Sequence, residues 1–175
     1  MIISEMNSRL DLPSILPVGG VGVELGVAAG YYSNIILERS KLKKLYSVDV
    51  WCDHHDDAEY RVACDRLAKH GDRSTIIRAF FVDAIDQFED NYFDFIYIDA
   101  YAHLGQEGGS LMRNWYPKLK KGGIMGGHDY TPQYQPTIDA VDSFCDQLGF
   151  TPIIIPGAET LNKQDMYPSW YVYKV

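Results

Sequence analysis

The sequence is short of cysteine. Its three thiols, Cys52, Cys64 and Cys145, are widely spaced and odd in number, which excludes a disulfide framework and points to free thiols in a reducing compartment. No uncharged apolar stretch is long enough to cross a bilayer, and Met1-Ile-Ile-Ser-Glu5 lacks the basic start and long apolar run of a signal peptide. A cytoplasmic location is expected. Positive charge is in deficit: 16 Lys and Arg stand against 24 Asp and Glu, a net charge of −8. Nucleic acid and anionic membrane both demand a basic surface, so neither is expected as a partner. No internal repeat, low-complexity segment or linker interrupts the chain. Its 175 residues are read as one domain, 1–175, in which residues 1–16 form an arm or short helix over the site.

Two phosphate-binding patterns are also missing. A dinucleotide fingerprint starting at Gly26 would need glycines where the chain has Ala28 and Tyr31, and Gly30-Tyr31-Tyr32 is not the end of a Walker loop. What is present is Glu24-x-Gly26-x-x-x-Gly30, where a buried strand runs through a tight turn into a helix. Gly26 and Gly30 allow close backbone approach. A carboxylate at that turn repels phosphate and suits a cationic or hydroxyl-bearing ligand. Glu24, Gly26 and Gly30 are therefore cofactor-binding candidates.

Periodicity gives strands at 21–25, 44–49, 74–80, 93–99, 123–127, 152–155 and 170–174, and helices at 31–39, 57–70, 83–88, 109–116 and 137–148. The alternation implies an α/β fold: a Rossmann-like three-layer sandwich around a mostly parallel seven-stranded sheet, closed by an antiparallel C-terminal hairpin at one edge. Residues 156–168 are read as a loop that shapes acceptor specificity.

In such a sheet, ligands sit at the carboxyl ends of the strands. Asp49 ends the second strand and suits two ribose hydroxyls; Trp51, just beyond it, offers a face for an adenine ring. The run from Cys52 to Asp57 holds several metal-ligand types but reads better as a polar loop whose aspartates cap the next helix. Asp99 ends the fourth strand, and His128 with Asp129 ends the fifth. If those strands neighbour the first, two carboxylates and an imidazole converge, and a cation would relieve their repulsion. Asp99, His128 and Asp129 are thus expected to hold a divalent ion, Mg²⁺ or Mn²⁺.

The segments Phe93-Asp-Phe-Ile-Tyr-Ile-Asp-Ala100 and Lys120-Lys-Gly-Gly-Ile-Met-Gly-Gly-His-Asp-Tyr130, together with the glycine turn, resemble the small class I S-adenosylmethionine-dependent O-methyltransferases. That group includes methyltransferase domain family 24 and macrocin-type enzymes. The resemblance runs from about Pro17 to Leu148. It implies S-adenosylmethionine as cofactor, Asp83 near the adenine amino group, Asp99 beside the cofactor, and a small-molecule hydroxyl as methyl acceptor. It also implies Asp99, His128 and His103 as catalytic residues, although His103 lies four residues after Asp99 where the group has three. The Asp/Asn-Pro-Pro-aromatic motif of nucleobase amino-methyltransferases is absent. Two alternatives stand beside this reading: a cofactor-binding protein without transfer activity, and a nicotinamide dehydrogenase, which Ala28 and Tyr31 disfavour.

Overall fold

The computed structural model describes residues 2–52, 54–158 and 163–175. Asp53 of the polar run, and 159–162 of the expected loop, lie outside the described residues. Among those described, eight strands form one sheet: β1 (Ile2–Ile3), β2 (Val21–Leu25), β3 (Lys44–Asp49), β4 (Ser74–Arg78), β5 (Phe93–Ile98), β6 (Leu119–Gly127), β7 (Ile153–Ile155) and β8 (Ser169–Tyr173). Their spatial order is β1-β7-β8-β6-β5-β2-β3-β4. β8 runs antiparallel to both β6 and β7, and every other pairing is parallel. The expected mostly parallel sheet with an antiparallel closing pair is present. It has one more strand than expected, because the N-terminal arm adds β1 outside β7 and takes that edge from the hairpin.

The helices are α1 (Tyr31–Arg39), α2 (Asp57–Leu67), α3 (Phe81–Ala84), the single turn α4 (Gly105–Gly108), α5 (Ser110–Trp115) and α6 (Gln135–Leu148). They cover both faces. Val21, Val23, Leu25, Ile96 and Ile98 pack with Leu111, Trp115, Val141 and Phe144 on one side. Phe95 and Tyr97 pack with Ile36 and Leu37 of α1, and with Leu12 and Leu16 of the arm, on the other. The period of two along β5 thus feeds two cores, which is why it reads as a nearly continuous apolar run, whereas β2 sends Val21, Val23 and Leu25 to one core only. A 3-10 helix, Arg9–Ile15, lays the arm against α1; Tyr32 donates from its hydroxyl to the Arg9 carbonyl at 2.9 Å, and Arg39 donates to the Leu10 carbonyl at 3.0 Å.

Register aligns the site. Val48, Leu25, Ile98 and Gly127 are partners across β3, β2, β5 and β6. The next residue on each strand is Asp49, Gly26, Asp99 or His128, so these four form one row along the carboxyl edge.

Candidate functional site

A cavity of about 310 Å³ opens on that row, lined by Arg9, Glu24, Gly26, Tyr31, Asp99, His128, Asp129 and Tyr167 among others. A smaller one of about 70 Å³ adjoins it through Gly26 and Asp99 and reaches Asp49, Phe81 and Tyr101. The backbone here is strained. Ala28, Trp51, Tyr101 and Asp129 have φ of 46°, 48°, 52° and 63°, each following one of the four strands of the row. Non-glycine residues in this region cost about 1–3 kcal/mol and cluster at functional sites.

The glycines serve packing as well as access. Gly26 has φ 89°, and a Cβ there would collide with the Asp99 carbonyl. Gly30 has φ 74°, and a Cβ would press on Ala63 of α2 at 3.2 Å. The turn is thereby clamped between β5 and α2.

Asp49 is buried, and both of its oxygens are engaged. Oδ2 accepts from the Val27 and Ala28 N–H groups at 2.8 and 3.0 Å, and Oδ1 from Val50 and Trp51 at 2.7 and 3.3 Å. One carboxylate therefore organises the turns after both β2 and β3. Trp51 is 1% exposed. Its indole packs on Tyr60 and donates to the Ala28 carbonyl at 2.8 Å, so it supports the glycine turn from beneath and lines neither cavity of the row. The expected adenine platform is corrected accordingly: the left-handed Trp51 backbone turns the ring inward. Asp83 is exposed on α3 and lines neither cavity; Phe81 lines the smaller one. The capping expectation for the polar run is met by Asp56, which accepts from Ala58 and Glu59 N–H groups at 2.9 and 3.0 Å.

Glu24 is 1% exposed and accepts from Ser33 Oγ, which in turn lies 2.8 Å from Ser47 Oγ. Burial pushes its carboxyl up to about 8, so it holds its proton at neutral pH. Asp129 is pushed up to about 7, first by burial and then by the neighbouring Asp99. His128 moves the other way, down to about 4, because burial outweighs the favourable charge of Asp99. Its ring is neutral at pH 7, and the 3.6 Å approach of Nε2 to Asp129 Oδ1 is no ion pair there. Nδ1 lies 2.9 Å from Ser169 Oγ, which also meets the Tyr97 hydroxyl at 3.0 Å. Among the described residues, buried Nε2 completes no hydrogen bond, although the backbone of Gln164 favours the protonated ring.

Asp99 is held by a residue the sequence reading overlooked. Arg9, 3% exposed, donates from Nη1 to Asp99 Oδ2 at 2.7 Å and from Nε to Asp165 Oδ1 at 3.0 Å. Tyr31 donates to the other Asp165 oxygen at 2.8 Å. The expected divalent ion does not fit this arrangement. Among the described residues no three His, Cys, Asp or Glu side chains are placed to hold one together, and the positive charge beside Asp99 is a guanidinium. His103 is also corrected. The left-handed Tyr101 and the 3-10 turn Ala102–Leu104 carry it away, exposed and 5.5 Å from the His54 ring, and it lines neither cavity.

The methyltransferase domain family matches residues 23–130, more than half of the chain. The chain belongs to this family. It is a class I S-adenosylmethionine-dependent methyltransferase. No curated protein matches it by sequence. Solved structures share the methyltransferase's fold. A precorrin 8w decarboxylase of Methanobacterium thermoautotrophicum is 19% identical, with a TM-score of 0.66 over 95% of this chain and 87% of that one. Spermidine synthase from Thermotoga maritima is 18% identical, with a TM-score of 0.71 over 98% of this chain but 59% of that one. An O-methyltransferase from Bacillus cereus, solved in complex with SAH, is 13% identical, with a TM-score of 0.68 over 88% and 74%. Among the described residues no helix is long and apolar enough to cross a membrane.

Proposed function

We propose that this methyltransferase acts on a hydroxyl oxygen of a small molecule. The observation that carries the reading is the buried Nε2 of His128, which completes no hydrogen bond among the described residues and sits in the wall of the cavity that Gly26 and Asp99 share. A buried polar atom without a partner is uncommon and costly, and a hydroxyl donor supplied by an acceptor would satisfy it. S-adenosylmethionine, when bound, supplies an electrophilic methyl group on a positively charged sulfur. The chamber can receive that cation through Asp99 and Asp129, since its one arginine is already engaged by Asp99 and Asp165.

The residues divide the work as follows. Gly26 and Gly30 shape the turn, and Glu24 and Asp49 sit directly against it. Asp99, beside Gly26, bounds both cavities. With Nδ1–H donating to Ser169, His128 turns the Nε2 lone pair to the acceptor and takes its proton as the oxygen attacks. Asp129, poised near neutral pH, is the adjacent group that receives or shares that proton. Tyr31 and Tyr167 complete the acceptor wall.

The test is a panel of hydroxyl compounds and cell extracts incubated with methyl-labelled cofactor. A labelled methyl ether is expected from the wild type. His128→Gln should lower kcat by about 10²–10⁴-fold while SAH affinity and melting temperature hold. A product methylated on nitrogen would refute the hydroxyl reading. Tight cofactor binding with no labelled product from any acceptor would favour a binding protein without transfer activity.

A further inference from the structure

We propose that Arg9 is the site's own cation: a positioning residue whose guanidinium takes the charge-neutralising place expected of a metal and fastens the arm and the Asp165 turn over the cavity. The inference deepens the reading of this cavity as the transfer chamber. Arg9 comes from the 3-10 helix Arg9–Ile15, far in sequence from both carboxylates. Its Nη1 meets Asp99 at 2.7 Å and its Nε meets Asp165 at 3.0 Å. Its guanidinium carbon lies 4.4 Å over the Tyr32 ring, and the ring's hydroxyl returns a bond to the Arg9 carbonyl. The side chain is therefore fixed on every side.

One guanidinium fork thus joins three segments that the sequence keeps apart: the arm, the end of β5 and the 3-10 turn Lys163–Asp165. A lysine could supply the charge but not two directed bonds at this spacing. Arg9 lines the cavity together with Gly26, Asp99 and Asp129, so its charge faces whatever the cavity takes. Without it, buried Asp165 and half-buried Asp99 would stand side by side with no compensating charge, a costly arrangement.

The experiment uses the charge difference between the two cofactor forms. S-adenosylmethionine carries a positive sulfur; SAH does not. Calorimetry at one fixed pH gives the ratio of their affinities for each protein. Arg9→Gln should raise the preference for S-adenosylmethionine by about threefold or more, the scale expected for one charge at protein dielectric. Asp165→Asn should move the ratio in the opposite direction. Arg9→Lys should keep the wild-type ratio and yet lower the melting temperature, because only the fork is lost. A merely structural role would lower the melting temperature in all three and leave the ratio alone, and that result overturns the proposal. Uptake of one equivalent of Mn²⁺ by the wild type, with a ratio that shifts on chelation, overturns it as well. Should Arg9→Gln fail to fold, the opposed behaviour of Arg9→Lys and Asp165→Asn still decides. The ratio needs no acceptor, so failure of the hydroxyl reading leaves it readable.

Discussion

Replacing Asp49 by Asn separates two roles that one carboxylate can play. In the structure its two oxygens accept four backbone N–H bonds, from Val27, Ala28, Val50 and Trp51. Asparagine has one acceptor oxygen and an NH₂ group in place of the other. Two of the four N–H groups would then face a donor. Leaving a buried donor unsatisfied costs about 1–3 kcal/mol, so Asp49→Asn should lose roughly 2–6 kcal/mol of stability, a large share of the 5–15 kcal/mol typical of a domain. Urea denaturation reads this directly. Asp56→Ala, which removes a helix N-cap on α2, serves as the control at about 1 kcal/mol with SAH affinity unchanged. Cofactor affinity should fall together with stability in Asp49→Asn, because the turn it organises lines the cavity. A variant that loses tenfold or more in SAH affinity with less than about 1 kcal/mol of stability would refute the reasoning. It would mean that the carboxylate serves ribose hydroxyls and that the four N–H groups find other partners.

Further expectations follow from the same edge of the sheet. Glu24 has a folded value near 8 against 4.5 in its ordinary state, so between those values the folded protein holds a proton that the unfolded chain has released. Stability must then fall as pH rises through that window, and Glu24→Gln should gain on the wild type from pH 6.5 to 8 in urea midpoints; parallel curves would contradict this. Phe81→Ala should weaken SAH binding by roughly tenfold while Asp83→Asn leaves it within twofold, the scale of one lost apolar contact against an exposed polar change; calorimetry that ranks them the other way would return Asp83 to the site. Gly26→Ala should destabilise by about 2 kcal/mol or more, since both its φ of 89° and its contact with the Asp99 carbonyl exclude a side chain; a thermal melt at the wild-type temperature would show that β5 can yield.

Much of the fold was legible because burial on both faces leaves a strong mark. β2, β3 and α1 fall where the apolar runs and the glycine turn put them, and the parallel pairing follows from alternation with helices. Shorter features were not legible. β1 has two exposed isoleucines, 53% and 60% accessible, and pairs with β7 through backbone bonds that leave no pattern in side chains. The early start of β6 at Leu119 crosses Lys120 and Lys121, which read as the polar end of a helix. Within the site, the row Asp49, Gly26, Asp99 and His128 was readable, since each residue closes a strand. Four left-handed residues, Ala28, Trp51, Tyr101 and Asp129, then decided which side chains reach the cavity, and ordinary residues in that conformation carry no sequence signal. Trp51 and His103 were misjudged for this reason. Arg9 did leave a trace: it is the sole Lys or Arg before Arg39, in an arm already expected to lie over the site. What was missing was its partner Asp165, 156 positions away.

Five carboxylates gather at this edge, and the sequence argument for a metal rested on the repulsion of two of them, Asp99 and Asp129, beside His128. The structure resolves that repulsion in three other ways. Asp49 is surrounded by backbone N–H dipoles. Asp99 and Asp165 share one guanidinium. Glu24 and Asp129 are raised by burial to about 8 and about 7, so near neutral pH one holds its proton and the other is close to releasing it. Each solution is local, and the third leaves two groups free to respond to a cation. A positively charged ligand entering the cavity would favour ionisation of Glu24 and Asp129, the two groups whose charge is withheld in its absence. Cofactor binding should therefore release protons, and release more for S-adenosylmethionine than for SAH, which lacks the sulfonium charge. Calorimetry at pH 7 in two buffers of different ionisation enthalpy measures that number. A value equal for both ligands would show that neither carboxyl senses the transferring charge, and the electrostatic account of the chamber would fall with it.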